Sequence, residues 1–425
     1  MIAWLLISFF VLLFLGVPIA MSLGLSAMGG ILFLGGGSTV TIAQRMFEGM
    51  NSFALLAIPL YTFAGFTMSK GGISKRLMDF CYSIVGHIYG GLAHVNVLSS
   101  MIFAGISGSA VADTAGVSGM FMPEMIRKGY SKNFTVAVTA ISSTIGIIIP
   151  PSIPMVVIAG ICGISTGKLF LGGIIPGILC GLAQMIVSYF LAKKEGVPKE
   201  PGHFTIGPVL HGLWESWPAL LMPIIIVGTI TMGIVSPTEA GVIAVVYGLF
   251  AGGIIYREFK WEDIKFAFAE TVRTSGRIFI VIGAAKLYTV MLTTAGFDKW
   301  VAKTMLGFST NPTVILIMIL LIFFIVTMFM ESIATLTLFM PILYPIALGV
   351  GINPIVLSVL ITVVIGIGLV TPPVGMCIYV ACDLMDTTVG EVFPTLVPFI
   401  AATFVCIALM VAFPQLILLP TYLMA

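Results

Sequence analysis

Two carboxylates, each ten residues ahead of the proline in a Phe-Met-Pro triplet, are the groups in this sequence best placed to do chemistry: Asp113 before Pro123, and Glu331 before Pro341. Both interrupt apolar stretches, in GISGSAVAD at 105–113 and in VTMFMES at 326–332. A proline pair follows each, in IGIIIPP at 145–151 and IGLVTPP at 367–373, at an offset of 222 residues. Proline has no N–H and clashes with the turn before it, so a pair inside an apolar segment breaks the helix and frees carbonyl oxygens. Hydroxyls stand close by in sequence, at Ser107, Ser109, Ser142 and Ser143 in one half and Thr327, Thr362 and Thr371 in the other. Such oxygens suit a hard cation such as sodium. Helix N-termini formed at the same breaks point partial positive charge where a carboxylate can sit. The chemistry expected is the joint binding of a cation and an organic anion.

The elements that position these groups lie in a membrane. Of 425 residues, 59% are hydrophobic and 8% are charged, with a mean hydropathy of +1.17, whereas a soluble domain carries roughly 25% charged residues. Apolar stretches recur from Ile2–Leu34 to Pro394–Leu419. Since about 20 apolar residues span a bilayer as a helix, the expectation is an all-α polytopic membrane protein. Strands of alternating polarity are missing, and in hydrocarbon only helices or closed barrels satisfy the backbone. The first stretch, interrupted by Pro18, is long for one span and short for two; without a basic leader it reads as retained rather than cleaved. A net charge of +2 gives no footing for nucleic acid. The six cysteines (Cys81, Cys162, Cys180, Cys377, Cys382, Cys406) lack metal or disulfide spacing and read as small buried hydrophobes. The histidines (His87, His94, His203, His211) do not converge with them. No Walker loop, Rossmann fingerprint or HExxH is found.

The paired triplets and paired breaks imply an internal repeat. The division expected is N-terminal scaffold helices over 1–50, a first repeat over 51–205, connecting helices over 206–259 and a second repeat over 260–425. Each repeat carries a re-entrant hairpin, at about 92–126 and 313–344, because irregular backbone at membrane depth survives only where it is buried in protein or lines a wet cavity. Each also carries a broken helix, at 150–151 and 372–373. Charge suggests that the repeats are inverted: Arg127, Lys128 and Lys132 follow the first hairpin, while 345–353 after the second is uncharged. Lys193, Lys194 and Lys199, then Arg257, Lys260 and Lys265, fit the cytoplasmic side with the first group. Inverted repeats with mirrored broken helices are a signature of secondary transporters.

GISGSAVAD at 105–113, IIPPSIPM at 148–155, VSPTEA at 235–240 and TPPVGM at 371–376 together resemble the large membrane subunit of the tripartite ATP-independent periplasmic transporters, over essentially the whole chain. The resemblance implies a sodium-coupled elevator importer in a bacterial inner membrane. It also implies a small four-helix membrane subunit and a soluble periplasmic substrate-binding protein as partners. Its substrate would be a small carboxylate of the sialic acid or C4-dicarboxylate class. Ser107, Ser109, Asp113, Gly146, Ser152, Glu331, Gly368 and Thr371 fall on the family's motif positions. The candidate sodium ligands are Ser107, Gly108, Ser109, Asp113, Gly146 and Pro150 in the first half and Thr327, Gly368, Val370 and Thr371 in the second. Ser109, Ser143, Ser152, Glu331 and Thr335 are the candidate substrate contacts. Two sites predict at least two coupling ions and no organic cofactor.

Plainer readings stand beside these. Asp113 and Glu331 can cap the returning helix of each hairpin, a role compatible with ligation. Ser142, Ser143 and Thr362 can bond back to the preceding turn. SPTE at 236–239 fits a capping box. Lys286, within the apolar run 278–292, is open to substrate binding, snorkelling or a subunit contact. The segments 69–80 and 296–308 read as corresponding interfacial helices, as bracing arms or static surface helices. Rival functions are a stand-alone sodium-coupled carboxylate or anion carrier, and an intramembrane enzyme using Asp113 and Glu331 as a carboxylate pair. A channel finds less support, since no filter-like ring of charges occurs.

Overall fold

The structure, a computed structural model, describes residues 1–35, 38–197 and 204–424. Lys199 and His203 lie outside the described residues. Every regular element among the described residues is helical. The first apolar stretch forms two short helices, α1 (Ile2–Phe14) and α2 (Ile19–Leu34), divided where Gly16 takes a φ of 81° ahead of Pro18. Next come α3 (Val40–Met50), α4 (Ala57–Lys70) and the amphipathic α5 (Ile73–Val85), which buries Leu77, Phe80 and Cys81. The first hairpin is α6 (Gly91–Ser107) and α7 (Ala110–Arg127); the broken helix after it is α8 (Lys132–Ser143), extended by a 3-10 turn over Thr144–Ile147, and α9 (Ile153–Cys162). The long α10 (Thr166–Lys194) ends the first repeat, and α11 (Ile206–Thr231) and α12 (Pro237–Phe250) lead to the second. That repeat runs through α13 (Trp261–Thr294), α14 (Phe297–Phe308), the hairpin α15 (Pro312–Thr327) and α16 (Ser332–Gly349), the broken pair α17 (Pro354–Gly368) and α18 (Met376–Asp383), and α19 (Val389–Ala412). A short α20 (Gln415–Leu418) follows. Among the described residues, seven helical segments are long and apolar enough to cross a membrane, so the chain is a multi-pass membrane protein.

The order of elements repeats from α4 to α10 and from α13 to α19. Arms α5 and α14 are each entered through a left-handed glycine, Gly72 and Gly296. The return helices α7 and α16 have the same length, 18 residues, and start 222 residues apart. Both proline pairs, Pro150-Pro151 and Pro372-Pro373, are cis.

Helix lengths make the hairpins re-entrant. From the first tip, α7 runs back 18 residues to the base, ~27 Å at 1.5 Å per residue. The chain then returns through α8 and its 3-10 turn, 12 and 4 residues, ~26 Å, and arrives level with the tip at the break. Beyond it α9 continues for 10 residues, ~15 Å, past the reach of the hairpin. In the second repeat α18 projects likewise past its own tip. The packing then shows the inversion: α9 lies against α16, and α18 lies against α7. Each projecting half-helix occupies the level of the opposite hairpin, so the hairpins enter from opposite faces, with the two breaks adjoining between them.

The base of the first hairpin joins the ends of α10 and α18 on one face. Ser131 Oγ donates to Glu195 Oε1 (3.0 Å), and Lys132 Nζ donates to the Met385 carbonyl (3.4 Å). Arg127, Lys193 and Lys194 crowd the same face. The scaffold side is made by α13, which packs along α2, α3 and α4, and by α12 against α4 and α11 against α5. Trp214, Trp261 and Trp300 are exposed near the ends of scaffold helices and arms, where tryptophan suits the headgroup level.

A buried polar clamp fastens α6 to α8. Asn96 Nδ2 donates to Thr139 Oγ1 (2.7 Å), Ser142 Oγ donates to Asn96 Oδ1 (3.0 Å), and Ser100 Oγ lies 3.0 Å from Ser142 Oγ, all in fully buried side chains. At the same 222-residue offset the second repeat has Met318, Ile322, Ile361 and Val364. Only the first hairpin is therefore tied to its broken helix by this clamp. Asn96→Leu removes two buried hydrogen bonds, each worth about 0.5–1.5 kcal/mol, while Thr139 and Ser142 keep their bonds to the Thr135 and Thr139 carbonyls. The expected result is a lower thermal midpoint of the purified protein in detergent; an unchanged midpoint contradicts the clamp.

Candidate functional site

The first cluster forms where the α6–α7 tip meets the break between α8 and α9. Gly108 turns the chain with a φ of 64°, and a side chain there would run into the Pro151 carbonyl at 2.7 Å. The Gly108 carbonyl accepts from Ile153 N–H (3.2 Å), a backbone tie between tip and break. Ser109 is the N-cap of α7, its Oγ accepting from Ala112 N–H at 3.4 Å. Ser107 Oγ donates to Asp113 Oδ1 and accepts from Ser109 N–H at 3.3 Å. Asp113 is buried, and its Oδ2 has no hydrogen-bond partner. That oxygen faces Gly146: a methyl group on Gly146 would collide with it, and would stand 3.6 Å from the Ser109 carbonyl. Ser152 caps α9 by accepting from Met155 N–H (3.3 Å), and its Oγ donates to the Ile147 carbonyl at 2.5 Å. The Pro150 carbonyl faces Gly105 at the tip.

The second cluster forms where the α15–α16 tip meets the break between α17 and α18. Met328 O accepts from Val374 N–H (2.9 Å), the counterpart of the Gly108–Ile153 tie. Gly368 is to Thr327 what Gly146 is to Asp113: a methyl group on Gly368 would overlap the Thr327 side chain. Thr327 Oγ1 donates to the Phe323 carbonyl (2.6 Å), and Thr371 Oγ1 donates to the Ile367 carbonyl (2.7 Å). The turn after α17 is closed by bonds from Val370 N–H to Ile367 O and from Thr371 N–H to Gly368 O. Glu331 is the N-cap of α16. Its Oε2 accepts from Ile333 N–H (3.0 Å) and Ala334 N–H (3.2 Å), and its Oε1 accepts from Ser332 Oγ (2.8 Å). Thr335 Oγ1 donates to the Glu331 carbonyl at 3.1 Å.

The two acids are not counterparts. Return helices and breaks share the offset of 222, which pairs Glu331 with Ser109, both N-caps, and Asp113 with Thr335. The Phe-Met-Pro triplets are 218 residues apart, about one helical turn out of that register. Capping therefore describes Glu331 and Ser109, while Asp113 stands a turn inside α7. The clusters adjoin through their breaks, with the Cβ direction of Gly366 facing Thr144 Cβ at 3.3 Å and its carbonyl at 3.5 Å.

Thus Ser107, Gly108, Ser109, Asp113, Gly146, Pro150 and Ser152 gather at the first tip and break, and Thr327, Gly368, Val370, Thr371, Glu331 and Thr335 at the second. Ser143 differs: its Oγ donates back to the Thr139 carbonyl at 2.7 Å within α8. Thr362 does likewise to Ser358 O. Ser236 and Glu239 form the capping box that opens α12. Lys286 lies on scaffold helix α13 with its stem against Gly49 of α3. The sequence did not single out Met328, Ile153 or Val374, which act through backbone atoms, nor Thr144 and Gly366. An unpaired carboxylate oxygen buried beside a carbonyl fits a hard cation, which such oxygens coordinate readily.

Residues 6–416 match the family model described as "Tripartite ATP-independent periplasmic transporter, DctM component". The chain is 35% identical over 408 residues to the sialic acid TRAP transporter large permease protein SiaM of Vibrio cholerae serotype O1, covering 96% of this chain and 95% of that one. It is also 35% identical, over 95% of its length and 94% of the relative's, to the C4-dicarboxylate TRAP transporter large permease protein DctM of Pseudomonas aeruginosa. With the isethionate TRAP transporter permease protein DctMQ of Oleidesulfovibrio alaskensis it shares 37% identity over 92% of this chain, spanning 62% of that longer relative. The crystal structure of the Alcanivorax borkumensis YdaH transporter has a similar fold, with a TM-score of 0.60, 13% identity and coverage of 88% of this chain and 87% of that one.

Proposed function

The chain belongs to the family of DctM components of the tripartite ATP-independent periplasmic transporters, and from that premise we propose that it carries a small organic carboxylate inward together with sodium. The observation that carries this reading is Asp113 Oδ2, buried without a partner and converging with the Ser109 carbonyl on the space left by Gly146. The second cluster, with Thr327 against Gly368, gives a second cation seat by the same construction. The carboxylate would sit between the tips, near Ser109, Ser152 and Thr335, where the N-termini of α7 and α9 favour an anion, while the N-terminus of α16 is already filled by the carboxylate of Glu331, the other candidate contact. Ser143 is the weakest of these contacts, since its hydroxyl is engaged within α8.

The motion proposed is an elevator. Hairpins and broken helices exchange contacts across the repeat and so travel as one block, while α11, α12 and α13 stay with the membrane and α5 and α14 brace the block. The small four-helix subunit, the periplasmic binding protein and the bacterial inner membrane come with the family. Relatives named for sialic acid and for C4-dicarboxylates support a carboxylate substrate, and the relative named for isethionate, a sulfonate, widens the class to small organic anions. The stand-alone carrier is disfavoured by membership of a tripartite family. An enzyme using Asp113 and Glu331 as a pair is disfavoured because both Glu331 oxygens are engaged in the α16 cap.

The test is uptake into proteoliposomes holding this chain and its small subunit, with candidate binding proteins and labelled carboxylates outside, with and without an inward sodium gradient. Uptake that requires both gradient and binding protein supports the proposal, and uptake indifferent to sodium overturns it. Ser109→Ala, which removes the α7 N-cap that fixes the Ser109 carbonyl at the first seat, and Thr371→Ala, which removes a hydroxyl at the second, should each shift half-maximal sodium activation upward by several-fold at near-normal expression. Unchanged sodium activation in both contradicts the assignment of the seats.

A further inference from the structure

The two clusters repeat in backbone but differ in charge. At the first, Asp113 presents a carboxylate oxygen with no hydrogen-bond partner, beside the Ser109 carbonyl. At the position equivalent to Asp113 the second has Thr335, which is neutral. The acid close to the second tip, Glu331, spends both oxygens on Ser332 Oγ, Ile333 N–H and Ala334 N–H. The remaining groups there, Thr327, Gly368, Val370 and Thr371, are neutral. Where α18 of the second half packs against α7 it brings the neutral Cys377.

From this asymmetry we infer that the seats fill in order: the first holds a cation against Asp113 with no organic anion present, and the second gains its cation only together with the anion. The inference rests on the sodium-coupled reading above. A cation away from water needs a counter-charge nearby. At the first seat Asp113, with its unpartnered Oδ2, is the group that supplies it once the cation is bound, with no substrate required. At the second, among the described residues, the acid near the tip is Glu331 with both oxygens held in the α16 cap, so the substrate's own carboxylate completes the seat. The second ion and the anion thus enter as a neutral pair, each raising the other's affinity by the same factor, as linkage requires. This ordering prevents the second ion from being carried without cargo.

The experiment is equilibrium binding of radioactive sodium to the full chain, purified with its small subunit, in the absence of any organic anion. Wild type should bind one ion per chain. Asp113→Asn should weaken that binding at least tenfold, and Thr327→Asp, which sets a carboxylate against Gly368 in the second half, should raise the count to two. Two ions on wild type without an anion would overturn the ordering while leaving sodium coupling intact, as would an undiminished ion on Asp113→Asn. A Thr327→Asp chain that stays at one ion overturns it too, and decides the matter should Asp113→Asn fail to fold. No ion on wild type would instead bring down the sodium reading itself.

Discussion

Gly146→Ala and Gly368→Ala are each expected to reduce sodium-driven uptake to background while the protein still inserts and purifies. Neither glycine is among the residues with positive φ, so alanine meets no backbone penalty at either place. In helical backbone it is favoured over glycine by up to about 1 kcal/mol. What alanine cannot have is the space: at Gly146 the new methyl would collide with Asp113 Oδ2 and lie 3.1 Å from Asp113 Cγ, and at Gly368 it would lie 2.6 Å from Thr327 Cβ. In both halves the added carbon takes the position where a cation would be held. The readout is initial uptake against sodium concentration, with thermal stability of the purified variant as the control. Wild-type uptake by either alanine variant contradicts the assignment of that seat.

The second large effect is on accumulation. A monoanion entering with one sodium moves no net charge, so a tenfold sodium gradient alone supplies about 1.4 kcal/mol and supports about tenfold accumulation. With two sodiums one net positive charge enters, and a potential of 100 mV adds about 2.3 kcal/mol to a doubled chemical contribution. The total of roughly 5 kcal/mol supports three to four decades. Proteoliposomes with a clamped potential should therefore accumulate a monocarboxylate about a thousandfold or more, and lose most of that when the potential is set to zero. Accumulation that stays near tenfold and ignores the potential means a single coupled ion.

Much of this architecture is legible in the sequence because its decisive features are chemical punctuation. Proline pairs in uncharged runs announce the breaks, and GISGSAVAD announces a turn because Gly108 must take a left-handed conformation beside the break. The charge contrast between 127–132 and 345–353 announces opposite entry of the hairpins, which the packing of α9 on α16 and α18 on α7 makes concrete. The pairing of the acids is where the sequence misleads. Phe-Met-Pro aligns Asp113 with Glu331, yet the helix starts align Glu331 with Ser109. A triplet displaced by one turn still presents a similar face, so apolar pattern cannot reveal the slip. The Asn96 clamp is illegible for another reason: one amide in an apolar run carries no sign of its partners until α8 lies beside it. The ties through Gly108, Met328, Ile153 and Val374 use backbone atoms, which side-chain identity does not disclose.

The most direct measurement is a density map of the chain, purified with its small subunit, in sodium and again with sodium replaced by choline. In sodium, density should stand between Asp113 Oδ2, the Ser109 carbonyl and Gly146, with both proline pairs against their hairpin tips, and it should vanish in choline. A map in which that space is closed and identical in both conditions, or in which either proline pair faces lipid away from its tip, would contradict it.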